Sequence, residues 1–196
     1  MNEALHPRPG SRWLRRTLTE ERAAQIVEFA VSLPLLLLFL VGIFDFSGAI
    51  SLKQKLTNAA RDGARVAAAD PATDLGSPST TVPVSISDAY QTVDNDLLSA
   101  KVNDCGMTGT TPTLATGVLA WKSPPLTGCA GGTGLVVTIQ RGCVALITGT
   151  TTDMVNTCVT IQYPYQWTFT SVSGLLGGSF IPPSKITTTS TSFNEN

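Results

Sequence analysis

Few residues in this chain can do chemistry, and their placement narrows what that chemistry is. Glu28 stands at the head of a run without charge, residues 29–44 (FAVSLPLLLLFLVGIF), and Asp45 closes it. A carboxylate at an apolar boundary is costly unless it meets a partner. Taken alone, Glu28 reads as a boundary residue that snorkels to lipid headgroups with Arg22 nearby. The cysteines are Cys105, Cys129, Cys143 and Cys158, for which three pairings exist. Their spacing favours Cys105–Cys129 and Cys143–Cys158, each closed loop contributing about 3 kcal/mol by restricting the unfolded chain. None of the close cysteine pairs that a zinc site needs is present. His6 is the single histidine, which removes most imidazole acid–base and metal chemistry. There is no Gly-x-Ser-x-Gly elbow and no Ser-x-x-Lys with a recognisable partner motif. Asp94-Asn95-Asp96 resembles a fragment of a calcium loop but lacks the glycine and distal glutamate, and reads as a solvated helix face. The expectation is a protein that is not an enzyme and carries no cofactor or metal.

Composition then says what positions these residues. The length, 196 residues, suits one ordinary domain with an attachment. Charged residues are only 14% and the net charge is −1, which argues against disorder and against a nucleic-acid partner. Residues 1–22 are basic (Arg8, Arg12, Arg15, Arg16, Arg22), and beyond Val66 the chain is polar, Thr-rich and holds every cysteine. The Leu, Ile, Val and Phe of residues 29–44 sum to roughly −4 to −7 kcal/mol for insertion as a helix, against about +3 kcal/mol for one central carboxylate. Insertion wins, and the arginines before it set the N-terminus in the cytoplasm and the rest outside. A cleaved secretory signal is the competing reading, with Ser47-Gly48-Ala49 as its cleavage site. The long leader, the carboxylate at Glu28 and the helical pattern that runs on through Leu52, Leu56, Ala59/Ala60, Gly63 and Val66/Ala67 weigh against it.

The organisation expected is a basic cytoplasmic leader (1–23), a long helix (24–69) that spans a membrane over about 26–47, and an extracytoplasmic domain (70–196). Asp70-Pro71 ends the helix, and Pro34 should kink or loosen it. Within the domain, Ile86, Tyr90, Val93 and Leu97 predict a second, shorter helix, with Asp88 and Gln91 as a weak capping box at its start. VVTIQRGCV is a strand candidate. Val159 to Phe169 alternates so regularly that it predicts a long strand, with an edge or bulge at Pro164. Its aromatic face should cover the helix, with a contact to another subunit as the alternative. A last strand is expected over Ile186–Phe193. The fold class is α+β, pilin-like: a long N-terminal helix packed on an antiparallel sheet, with a second short helix.

The N-terminal residues carry a family resemblance. Arg22, Glu28-Phe29-Ala30, Pro34 within a Leu-rich run, Asp45-Phe46-Ser47 and Leu56-Thr57-Asn58-Ala59-Ala60-Arg61-Asp62-Gly63-Ala64-Arg65 together resemble the N-terminal region of TadE/TadG-like proteins. These are pseudopilins, or minor pilins, of the tight-adherence (Tad) pilus and secretion machinery. The resemblance implies that prepilin peptidase cuts between Ala23 and Ala24, where the family pattern has glycine at the position of Ala23. Glu28 would then be residue five and would meet a new amino terminus during assembly, with Phe29 beside it. Other pilins or pseudopilins, the prepilin peptidase, the inner-membrane assembly platform and the lipid bilayer are the implied partners, in a hetero-oligomer at the bacterial inner membrane. The alternative is a permanently anchored extracytoplasmic domain that binds or adheres through its Thr-rich loops and enters no filament.

Overall fold

The computed structural model describes residues 11–71, 81–115, 119–129, 134–146, 153–169 and 182–194. The first ten residues of the leader and most of the Ser/Thr/Pro-rich stretch between Pro71 and Pro83 lie outside them.

One helix dominates: α1, Ser11–Ala69, is continuous for 59 residues. It begins well before the expected Ala24. No glycine or proline stands between Ser11 and Ser32, and the Arg, Leu, Glu and Ala there are good helix formers. The helix continues through Pro34, whose missing N–H removes one rung of the ladder, and stops ahead of Asp70-Pro71 as expected. Its two halves differ in what they meet. Up to Phe44 nearly every side chain described is exposed, whereas Leu56, Ala59, Ala60, Ala64 and Ala67 are buried. The small residues of that second half let another helix come close.

That helix is α2, Val84–Ser99, which follows Pro83 and buries Ile86, Ala89, Tyr90, Val93 and Leu97. It starts four residues before Asp88, without a side-chain cap, so the capping-box expectation fails. Pro83 sets the start: its carbonyl accepts from the N–H groups of Ile86 and Ser87. The chain has a cation at the far end of each helix. Lys55 Nζ donates to Ala100 O just past α2 at 2.9 Å, and the buried Arg141 donates to Asp70 O just past α1 at 3.0 Å. Positive charge is favoured at a helix C-terminus.

Asp94 departs from the solvated face expected of it, being only 9% exposed. Thr108 Oγ1 lies 3.0 Å from both Asp94 Oδ2 and Asp104 Oδ2. Burial first, and then the charge of Asp104, push the Asp94 carboxyl up, against a lowering by Thr108. A carboxyl raised in the folded state favours folding fully below the ordinary carboxylate pKa and loses that contribution as pH rises through the elevated value. Asp94→Asn is therefore expected to raise the thermal midpoint by a few degrees at neutral pH. The gain should vanish near about pH 4, as thermal scans across pH will read.

The sheet is a five-stranded antiparallel meander in chain order: β1 (Thr113–Leu114), β2 (Ala120–Lys122), β3 (Val136–Leu146), β4 (Asp153–Pro164) and β5 (Lys185–Phe193). The two short strands fall in a region without legible periodicity. α1 packs across β4 and β5, and α2 reaches β3. Val137, Ile139, Val159 and Ile161 close the core from the sheet side, with Trp121, Leu126 and Met107 at its margin. β4 ends at Pro164 instead of running to Phe169, since a proline has no N–H to continue the ladder.

Both disulfides are formed, Cys105–Cys129 and Cys143–Cys158. The second depends on a bulge. Ile139 faces Val159 and Arg141 faces Thr157 on the core side of the hairpin, and strict alternation would put Cys143 there too. The register shifts between Arg141 and Cys143, so Cys143 pairs with Asn156 and joins the face that carries Cys158. Gly142 makes the shift at φ +98°, a conformation that side chains disfavour. Gly142→Ala is expected to cost about 1–2 kcal/mol and to slow closure of this disulfide, read by denaturant unfolding and by thiol trapping during refolding.

Candidate functional site

The segment that distinguishes this chain is the exposed half of α1. Phe29, Val31, Leu36, Phe39, Ile43 and Phe44 are each more than half exposed. Among the described residues little packs over this stretch, and the helix is long and apolar enough to cross a membrane.

At its N-terminal end, Ala24 and Glu28 stand four residues apart and so lie one above the other on the helix surface. With Ala23, Val27, Val31, Ser32 and Leu35 they line a shallow groove of about 780 Å³, in which Glu28 is the one charged side chain. Cutting the chain between Ala23 and Ala24 would leave an amine one turn from the carboxylate of its own helix and equally open to that of a neighbour. Phe29 projects 64% exposed beside it. The geometry leaves this end accessible from outside the molecule.

The other end is closed by the domain. Asp45 is buried. Its Oδ2 accepts the backbone N–H of Phe169 at 2.9 Å, while Tyr165 Oη lies 3.1 Å from both its Oδ1 and its main-chain oxygen. Burial, and then the hydrogen bond and charge of Asp45, raise the Tyr165 hydroxyl above its ordinary pKa, so it stays a donor at neutral pH. A free carboxylate within a spanning helix costs about 2.5–3.5 kcal/mol, and these donors replace the water that would otherwise hold it.

The donors arrive because the chain leaves the sheet at Pro164 and turns back onto α1. Phe169 packs against Gly42, where an added Cβ would come 3.3 Å from its ring, and Tyr165 Oη approaches Gly48 equally closely. Trp167 sits 6.0 Å from Phe46 and edge-on to Tyr165 at 4.9 Å, its Nε1 donating to Pro183 O at 2.7 Å. The sequence expectation that these aromatics cover the helix is met by a loop, not by a strand. Missed was their tie to Asp45; the signal available was the spacing of Gly42, Asp45 and Gly48 on one side of the helix.

The architecture is that of a pilin-like α+β protein whose N-terminal helix is long enough and apolar enough to cross a membrane. Residues 23–65 match the family model of TadE-like proteins, the stretch on which the sequence resemblance rests. The match covers the exposed half of α1 and its buried continuation through Gly63 and ends before α2 and the sheet. No curated protein and no solved structure gives a significant match to the chain.

Proposed function

We propose that this protein is a membrane-anchored minor pilin, or pseudopilin, that takes part in assembling a Tad-type pilus or secretion apparatus and catalyses nothing itself. In this reading α1 spans the cytoplasmic membrane once, its leader inside and its domain outside. Prepilin peptidase removes the leader after Ala23, and Glu28 then pairs with the amine of a neighbouring subunit. The observation that carries the reading is the coincidence of the TadE-like segment with a single unbroken helix. That helix is open around Ala24 and Glu28 and rooted in a disulfide-bonded domain. Sibling pilins or pseudopilins and the inner-membrane platform are the partners this implies.

The test is fractionation of cells that make filaments. Recovery of the chain in sheared surface filaments supports the proposal. Complete retention in the membrane fraction while filaments form normally favours a permanently anchored binding or adhesion domain instead.

A further inference from the structure

Resting on the reading of α1 as a membrane span, we propose that Tyr165, Trp167 and Phe169 together with Phe46 form a collar that docks the domain into the headgroup region of a phospholipid bilayer. The apolar run from Phe29 to Phe44 advances about 24 Å along the helix, less than the roughly 30 Å hydrocarbon core. The next turn therefore lies at the membrane boundary, and it is the turn that the collar wraps. Phe46 is 62% exposed and Ile50 is 50% exposed, and with Phe39, Ile43 and Phe169 they line an open apolar groove of about 610 Å³. The groove is continuous with the bare helix below it, so the acyl chains that cover one face extend into the other.

The collar's polar atoms suit that depth. Tyr and Trp favour the interface because one end of each is apolar and the other is a hydrogen-bond donor. Here Trp167 Nε1 already donates to Pro183 O, and the Tyr165 hydroxyl is held at Asp45. Asp45 in turn takes the N–H of Phe169. These donors and this acid thus enter a region of low water content with partners in place. The exposed Gln166 and Thr168 alternate with the aromatics and present polar groups to the headgroups. The domain rests directly on the membrane at Asp45–Ser47, with no free stalk between it and the lipid.

The experiment is fluorescence quenching of the full chain reconstituted in phosphatidylcholine–phosphatidylglycerol vesicles. Trp121 is 2% exposed and shielded from quenchers, so W13F alone leaves Trp167 as the responsive indole. Loss of most of its emission with phosphatidylcholine brominated near the headgroup end of the acyl chain, less with deeper bromines, and little with acrylamide from the water is the expected result. Efficient acrylamide quenching without lipid quenching, from protein that resists carbonate extraction, overturns the collar and leaves the anchor intact. Protection from both quenchers overturns it as well, because a second copy of the chain then covers the surface. Release of the protein by carbonate overturns the membrane reading beneath it.

Discussion

Gly63→Leu is expected to prevent formation of a protease-resistant domain, and Gly63→Ala to lower its stability by about 1–3 kcal/mol. Glycine to alanine inside a helix ordinarily gains about 0.5–1 kcal/mol, so the sign rests on the space available. A Cβ at position 63 would stand 2.6 Å from Val93 Cγ2 and 3.3 Å from the Ala89 carbonyl oxygen of α2. Val93 is fully buried and β-branched, so its methyl has no free rotamer to retreat into. The clash wins, and α2 has to lift off α1. Ala59, Ala60, Ala64 and Ala67 flank the contact, so the opening would run along the whole helix pair. Limited proteolysis and thermal unfolding in detergent, with both disulfides intact, provide the measurement. An unchanged midpoint in Gly63→Leu would contradict the packing described.

Glu28→Leu is expected to leave the protein at its normal level in the membrane while filament incorporation falls by about 100-fold. Leucine favours insertion where a carboxylate opposes it, so anchoring has nothing to lose. On the proposed function, what is lost is the pairing with a neighbour's amine. Two opposite charges 4 Å apart gain about 4 kcal/mol at an effective dielectric constant of 20. Even a surplus of about 2.7 kcal/mol after desolvation corresponds to a factor of 100. Quantitative immunoblots of sheared filaments against membranes separate the two effects. Equal incorporation of wild type and Glu28→Leu would remove Glu28 from assembly and leave it as a headgroup contact.

Much of this architecture was legible in the residues because its signals are local. The uncharged run marks the anchor, the three-and-four spacing from Leu52 to Ala67 marks the buried continuation, and Asp70-Pro71 marks its end. The cysteine pairs followed from spacing, but the reason that Cys143 can reach Cys158 did not. It needs the register shift at Gly142, and a shift is a property of two strands, not of one. For the same cause β1 and β2 were silent: strands of two and three residues carry too few alternations to stand out, and only their pairing with β3 reveals them.

The aromatic alternation of residues 163–169 misled most, since period two continues in the sequence after Pro164 has ended the ladder. Burial of Asp94 was hidden too. Its helix supplies no partner; Thr108 reaches it from a loop beyond the helix end. The site itself divides along the same line. Ala24 and Glu28 are read from a single helix, whereas the closure over Asp45 joins residues 120 and 124 positions apart.

The central claim is that a processed helix presents Glu28 to a neighbour's new amine. Intact-mass and N-terminal peptide measurement on the membrane-associated protein tests it most directly. The account predicts a mature chain that begins at Ala24 and continues unbroken through Ile50 into the domain. A chain that keeps its leader, or one cut near Ala49, would contradict it.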